Sequence, residues 1–116
     1  MRFSVVVPLY NKENCIRMTL ESVKKQSFKD YEVIVVDDGS TDRSLEEARK
    51  IKSENITIIH QQNQGVSVAR NTGILHAQGQ YIAFLDADDE WEPDYLKTID
   101  HLIEKYPESD MYVTAY

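Results

Sequence analysis

Cysteine is almost missing from this sequence: Cys15 stands alone among 116 residues. A single thiol cannot close an internal disulfide, and a chain without disulfides fits a reducing compartment. Long apolar runs are missing too. Val5 to Val7 and Val33 to Val36 fall far short of the roughly 20 residues that span a bilayer. Positive charge is scarce. Lys and Arg number 13 against 20 Asp and Glu, a net charge of −7. No basic stripe exists to neutralise nucleic-acid phosphates, so the composition argues against nucleic acid as a partner. A phosphate-bearing ligand would need a metal or local donors to approach so many acids. Met1-Arg2-Phe3-Ser4 leads straight into a strand pattern, and no signal peptide is expected. A cytoplasmic location is expected, or a peripheral one at the inner membrane face for a longer protein.

What is present reads as one α/β domain over residues 1–116. Apolar β-branched runs predict strands over Phe3 to Val7 (ended by Pro8), Tyr31 to Val36, Ile56 to Ile59 and Tyr81 to Leu85. Met111 to Tyr116 reads as the start of another strand. Helical spacing predicts helices over Glu13 to Gln26, Asp42 to Ser53, Val66 to Ala77 and Pro93 to Tyr106. Ser40, Thr41 and Asp42 supply capping residues for the second helix. Ala69, Gly73 and Ala77 give the third a small-residue face suited to close packing on a sheet, and Gly79 reads as its stop. Apolar strands alternating with helices imply a mostly parallel sheet covered on both faces. In such sheets ligands bind outside the carboxyl ends of the strands.

The chemically unusual residues cluster at those ends. Pro8, Tyr10 and Asn11 follow the first strand, and Asp37, Asp38 and Gly39 the second. His60, Gln61 and Gln62 follow the third, and Asp86, Asp88 and Asp89 the fourth. In Phe84-Leu85-Asp86-Ala87-Asp88-Asp89, an apolar strand ends abruptly in carboxylates. Asp86 and Asp88 are two apart, so in extended chain they point the same way. Two parallel carboxylates repel unless a cation stands between them, and Mg²⁺ or Mn²⁺ suits oxygen ligands.

Each motif also has a plainer reading. Asp37 to Asp42 could be only a polar turn, although an acid ending a buried strand needs a partner. That partner could be a ribose hydroxyl or a base N–H. Arg70, one turn into its helix, is either a surface ion pair or a group aimed at the acidic edge. Cys15 reads as packing, and His76 and His101 as surface residues. Trp91 either walls a site or staples the last helix, with the staple favoured.

Together these motifs closely resemble the family 2 glycosyltransferases, which have a Rossmann-like GT-A fold. The resemblance runs from Val5 to about Tyr95. It rests on Val5-Val6-Val7-Pro8-Leu9-Tyr10-Asn11, Val36-Asp37-Asp38-Gly39-Ser40-Thr41-Asp42, Ala69-Arg70-Asn71-Thr72-Gly73 and Phe84 to Asp89. It implies that Pro8 to Tyr10 pack along a nucleotide base and that Asp37 recognises the base with Asp38 nearby. It implies that Arg70 holds the nucleotide. Asp86 and Asp88 would be the DXD motif, Asp86 shared between ribose and metal and Asp88 a metal ligand. The reaction implied is inverting transfer of a sugar from a nucleotide-diphosphate donor, a UDP-sugar first, to a hydroxyl on a carbohydrate or lipid-linked acceptor. Cell-surface polysaccharide synthesis is the expected setting. The family's general base falls beyond residue 116. The chain is therefore expected to be the truncated, N-terminal donor-binding part of a catalytic domain, inactive alone and prone to self-association. Two rivals remain. In a haloacid dehalogenase-type phosphatase the Asp-x-Asp pair follows the first strand, not the fourth. The other rival is a non-catalytic nucleotide-sugar-binding module.

Overall fold

A computed structural model of the chain describes residues 1–51 and 53–109. The strand expected at Met111 to Tyr116 lies outside them. The described residues form β1 (Phe3–Leu9), α1 (Ile16–Lys24), β2 (Tyr31–Asp38), α2 (Ser44–Arg49), β3 (Ile56–Gln61), α3 (Val66–His76), β4 (Tyr81–Phe84) and α4 (Tyr95–Lys105). All strand pairings are parallel, in the order β3-β2-β1-β4. The α/β fold expected from the sequence is the observed one.

Strand order reverses at β1, because β2 flanks it on one side and β4 on the other. The crossover helices follow that reversal. Phe3, Val5, Val7, Val33 and Val35 pack one sheet face against Ile16 and Leu20 of α1, Ala48 of α2 and Leu96, Ile99 and Ile103 of α4. Ile34 and Val36 pack the other face against Ala69 of α3. β1 is therefore buried along its whole length, and its continuous apolar pattern is what two covered faces require. The small-residue face of α3 works as expected. A Cβ at Gly73 would collide with Val6 Cγ1 and lie 3.1 Å from Cγ2.

Several boundaries differ from expectation, and four of them have identifiable reasons. β1 does not stop at Pro8. Val6 accepts the Leu85 N–H at 3.0 Å, so this side of β1 faces β4. Pro8 faces the same side two residues on, but β4 pairs only as far as Phe84. The missing proline N–H is therefore placed where no partner strand runs among the described residues. Helix α1 starts later than Glu13 because residues 11–13 are knitted to the β2–α2 loop. Glu13 N–H bonds Asp42 Oδ2 (3.2 Å), and Glu13 Oε2 accepts Arg43 N–H (3.1 Å). Helix α2 ends by Arg49 because Lys50 and Ile51 donate to Glu47 and Ala48, three residues back, which tightens the last turn. Gly79 does not terminate α3, whose cap Ala77 is extended. A Cβ at Gly79 would meet Phe3 C at 2.6 Å and Ser4 N at 2.7 Å, so close approach to β1 demands the glycine.

Candidate nucleotide-binding cleft

Beyond Phe84 the fourth strand leaves β1, and the gap between them opens at the point where strand order reverses. This is where open α/β sheets take ligands. A cleft of about 360 Å³ occupies it, lined by residues that include Pro8, Tyr10, Lys12, Asp38, Asn63, Asp86 and Asp88. Gly65, Val66 and Ala69 close one wall with the start of α3. That helix has 11 residues, and its positive N-terminal end favours anions in front of it.

The acidic end is a turn and not the extended chain expected, yet exposure still alternates along it. Leu85 and Ala87 are buried, whereas Asp86 and Asp88 alternate with them and are exposed. Each carboxylate has a cation. Lys12 Nζ is 3.2 Å from Asp88 Oδ2, and Arg70 Nη2 is 3.5 Å from Asp86 Oδ1. The Arg70 guanidinium also lies 5.7 Å from the centre of the Phe84 ring. Among the described residues no three His, Cys, Asp or Glu side chains converge as a metal site. Mg²⁺ commonly uses only one or two carboxylates together with substrate phosphates. Asp86 and Asp88 fit a cation shared with a diphosphate.

Asp37 and Asp38 are separated, because successive strand residues face opposite sides. Asp38 reaches the cleft wall. Its Oδ1 accepts from Gln61 Nε2 and Gln64 N–H, both at 2.9 Å, and its Oδ2 accepts from Gly65 N–H at 3.0 Å. Asp37 is fully buried on the other side, with Oδ2 2.8 Å from His60 Nδ1 and Oδ1 without a partner among the described residues. The structure thus brings Pro8, Tyr10, Asp38, Asp86 and Asp88 together and sets Arg70 against Asp86. It does not bring the Asp37 side chain to the cleft wall.

Burial opposes ionisation of Asp38, but its hydrogen bonds from Gln61, Gln64 and Gly65 outweigh it and hold the carboxyl below the ordinary value of 3.8. Asp42 is also lowered: burial again opposes, and bonds from Ser44 and Glu13 prevail. A depressed folded-state pKa stabilises the fold above the unfolded value, and that stability is lost as pH falls through the folded value. The thermal midpoint is therefore expected to drop below about pH 4, and to drop less steeply in Asp38→Asn. A pH titration of thermal unfolding checks this, and parallel curves for both proteins would contradict it.

Sequence reasoning missed Lys12, whose only signal was its place on the loop after β1. That loop is fixed from two sides. Lys12 N–H bonds Ser44 Oγ at 2.7 Å, and Asn11, at φ 49°, accepts Thr41 N–H on Oδ1 at 2.8 Å. Ser40 Oγ accepts Asn11 N–H at 3.0 Å, so Ser40 and Thr41 serve as fasteners for Asn11. The N-cap of α2 is Arg43, without a side-chain cap bond, and Asp42 just before it accepts Ser44 N–H at 2.9 Å. Trp91 is a staple: it is buried and stacks on Tyr95 of α4 at 4.5 Å between ring centres. His76 and His101 are exposed, and Cys15 is half-buried just before α1.

Comparison with known proteins agrees with this geometry. GlyA, a glycosyltransferase of Streptococcus pneumoniae, is 41% identical over 99% of this chain, which covers 17% of GlyA. TarS of S. aureus in complex with UDP superposes with a TM-score of 0.86 at 31% identity, over 99% of this chain and 38% of that one. The mannosyltransferase PcManGT of Pyrobaculum calidifontis, in complex with GDP-Man and Mn²⁺, gives a TM-score of 0.73 at 31% identity. That match covers 78% of this chain and 28% of PcManGT. The chain thus spans well under half of the proteins it matches, and its parallel sheet is that of the GT-A glycosyltransferases. The family description Glycosyl transferase family 2 matches residues 4–116, the span that holds every motif at the cleft, and the chain belongs to that family.

Proposed function

We propose that the cleft binds a nucleotide-diphosphate sugar and that this chain is the N-terminal donor-binding part of an inverting glycosyltransferase. The observation that carries the reading is the arrangement of one cleft. Pro8, Tyr10 and Asp38 line it together with Asp86 and Asp88, and the start of α3 lines it too. The first group suits a base and ribose, with Asp38 rather than Asp37 against the nucleoside. The second, with Arg70, suits the diphosphate. TarS with UDP supports a UDP-sugar as donor.

Asp86 and Asp88 are the residues that would hold Mg²⁺ or Mn²⁺; PcManGT in complex with Mn²⁺ supports a divalent cation as cofactor, though not its ligands. A divalent cation there would supply Lewis-acid stabilisation of the leaving diphosphate. Tyr10 and Pro8 exclude water from one side of the base. Arg70 orients Asp86 and offers a cation to the phosphates. Inversion also requires a general base to take the acceptor proton. We place that base outside residues 1–116, because the acids at the cleft already have binding roles. The acceptor, a carbohydrate or lipid-linked glycan in cell-surface polysaccharide assembly, is assigned from the family resemblance. Among the described residues no helix is long and apolar enough to cross a membrane, and we place the cleft on the cytoplasmic side.

Calorimetry with UDP tests the reading. Binding is expected with Mn²⁺ and at least about tenfold weaker binding in EDTA, a difference of about 1.4 kcal/mol. Equal affinity in both conditions for UDP, GDP and dTDP would favour the rival, a module that binds nucleotides without metal or transfer.

A further inference from the structure

The acidic turn has no strand to hold it once β4 ends. Within the turn, Asp89 N–H bonds Asp86 C=O at 3.0 Å. Main-chain support also comes from α1. Thr19 Oγ1 lies 2.9 Å from the Ala87 carbonyl and 2.6 Å from the Asp89 carbonyl, so its one proton is shared between the carbonyls on either side of Asp88. Three residues on, Ser22 Oγ accepts Trp91 N–H at 3.2 Å. Gln26 Nε2 then donates to Glu92 C=O at 2.7 Å, and its Oε1 accepts Leu96 N–H at 2.9 Å. All three side chains are buried. Thr19 and Ser22 stand three apart on one face of α1, Gln26 follows just past its C-terminal cap, and each grips main chain between residues 87 and 96.

A mid-helix threonine usually satisfies its hydroxyl on the carbonyl of its own preceding turn. Thr19 spends its proton on the acidic turn instead. The contact does not touch the Asp86 or Asp88 side chain. It fixes the peptide carbonyls flanking Asp88, and with them the direction in which that carboxylate leaves the main chain. Buried Leu85 and Ala87 pin the other side of the alternation.

We propose that Thr19 is a positioning residue for divalent-cation binding, acting through the main chain of residues 87–89 to aim the Asp88 carboxylate. The proposal rests on the donor-site reading above. It gives these three buried polar residues a graded division of labour: Thr19 sets the acids, while Ser22 and Gln26 anchor the chain leading into α4. Groups that orient metal ligands typically change metal affinity by about 10–100-fold when lost.

The test uses Mn²⁺ as the probe, with UDP, on the wild-type chain, Thr19→Val, Thr19→Ala, Thr19→Ser and Ser22→Ala. Mn²⁺ affinity is read by electron paramagnetic resonance, metal-free UDP affinity by calorimetry, and stability by thermal midpoint. Thr19→Val is expected to weaken Mn²⁺ binding about tenfold and broaden the Mn²⁺ spectrum, with metal-free UDP affinity unchanged. Thr19→Ser, which keeps the hydroxyl, restores both. Ser22→Ala lowers the midpoint but leaves Mn²⁺ affinity at the wild-type value. Thr19→Ala carries the same expectation as Thr19→Val, should valine prevent folding. Wild-type Mn²⁺ affinity and spectrum in a folded variant lacking the hydroxyl would overturn the positioning role while leaving the donor site intact. Failure of the wild-type chain to bind Mn²⁺ with UDP would overturn the donor-site reading, and this proposal with it.

Discussion

Asp88→Ala is expected to remove the Mn²⁺-dependent part of UDP binding, weakening it by about a hundredfold or more. The reasoning starts from ligand count. Among the described residues no third His, Cys, Asp or Glu joins Asp86 and Asp88 to make a metal site. Half of the protein's contribution to a shared cation therefore disappears with one side chain. Losing even a group that merely orients a metal ligand commonly costs about 10–100-fold, and losing a ligand should cost no less. The fold should survive, because the Asp88 side chain is half exposed and the core is untouched. The same variant frees Lys12, which now lies 3.2 Å from Asp88. Metal-free UDP binding should therefore hold steady or strengthen slightly, since a released ammonium can meet a phosphate. Calorimetry with and without Mn²⁺ separates the two effects. Parent-like binding of Mn²⁺ and UDP by Asp88→Ala would remove the metal assignment.

Gly73→Ala is expected to be the most damaging small substitution in the sheet–helix interface. Alanine is ordinarily the better helix residue by about 1 kcal/mol. Here propensity loses to packing. The added methyl would collide with Val6 Cγ1 and crowd Cγ2 at 3.1 Å. Val6 is fully buried in the central strand, between β2 and β4. Neither partner can move without shifting main chain, and overpacking of that kind costs about 1–3 kcal/mol. That is a large share of the 5–15 kcal/mol typical of a domain. The shift would also carry the start of α3, and so Gly65 and Val66 at the cleft wall. Urea unfolding at constant m-value should show the loss, with UDP affinity falling beside it. A Gly73→Ala protein as stable as its parent would show that α3 stands further from β1 than the structure places it.

The architecture was legible because it depends on periodicity. Val5, Val7, Val33 and Val35 against Ile16, Leu20 and Leu96 are strand and helix patterns that any covered parallel sheet must show. The small face of α3 was legible for the same reason. So was the alternation that leaves Asp86 and Asp88 exposed between buried Leu85 and Ala87. These features are local, and the spacing of side chains along an element determines them. Family membership was legible too, since three of four ordered motifs lie at strand ends and the fourth lies on α3 beside the cleft.

Contacts between distant segments were not legible. Nothing in Asp37-Asp38 says which acid faces the cleft, because that depends on which sheet face carries α3. Pro8 reads as a strand terminator until β4 is known to stop at Phe84, leaving its missing N–H without a partner strand to offend. Lys12 and Asp88 are 76 positions apart, and only the return of the chain to β1 brings them within 3.2 Å. Thr19 looks like an indifferent helix residue until its hydroxyl is found between the Ala87 and Asp89 carbonyls. The sequence by itself determined the elements, the sheet and the kind of chemistry at its edge, because these follow from near-neighbour spacing. Tertiary structure alone decided which side chains share the cleft and what holds the acids in place. Those are matters of strand order and helix side, set by the packing of the whole chain.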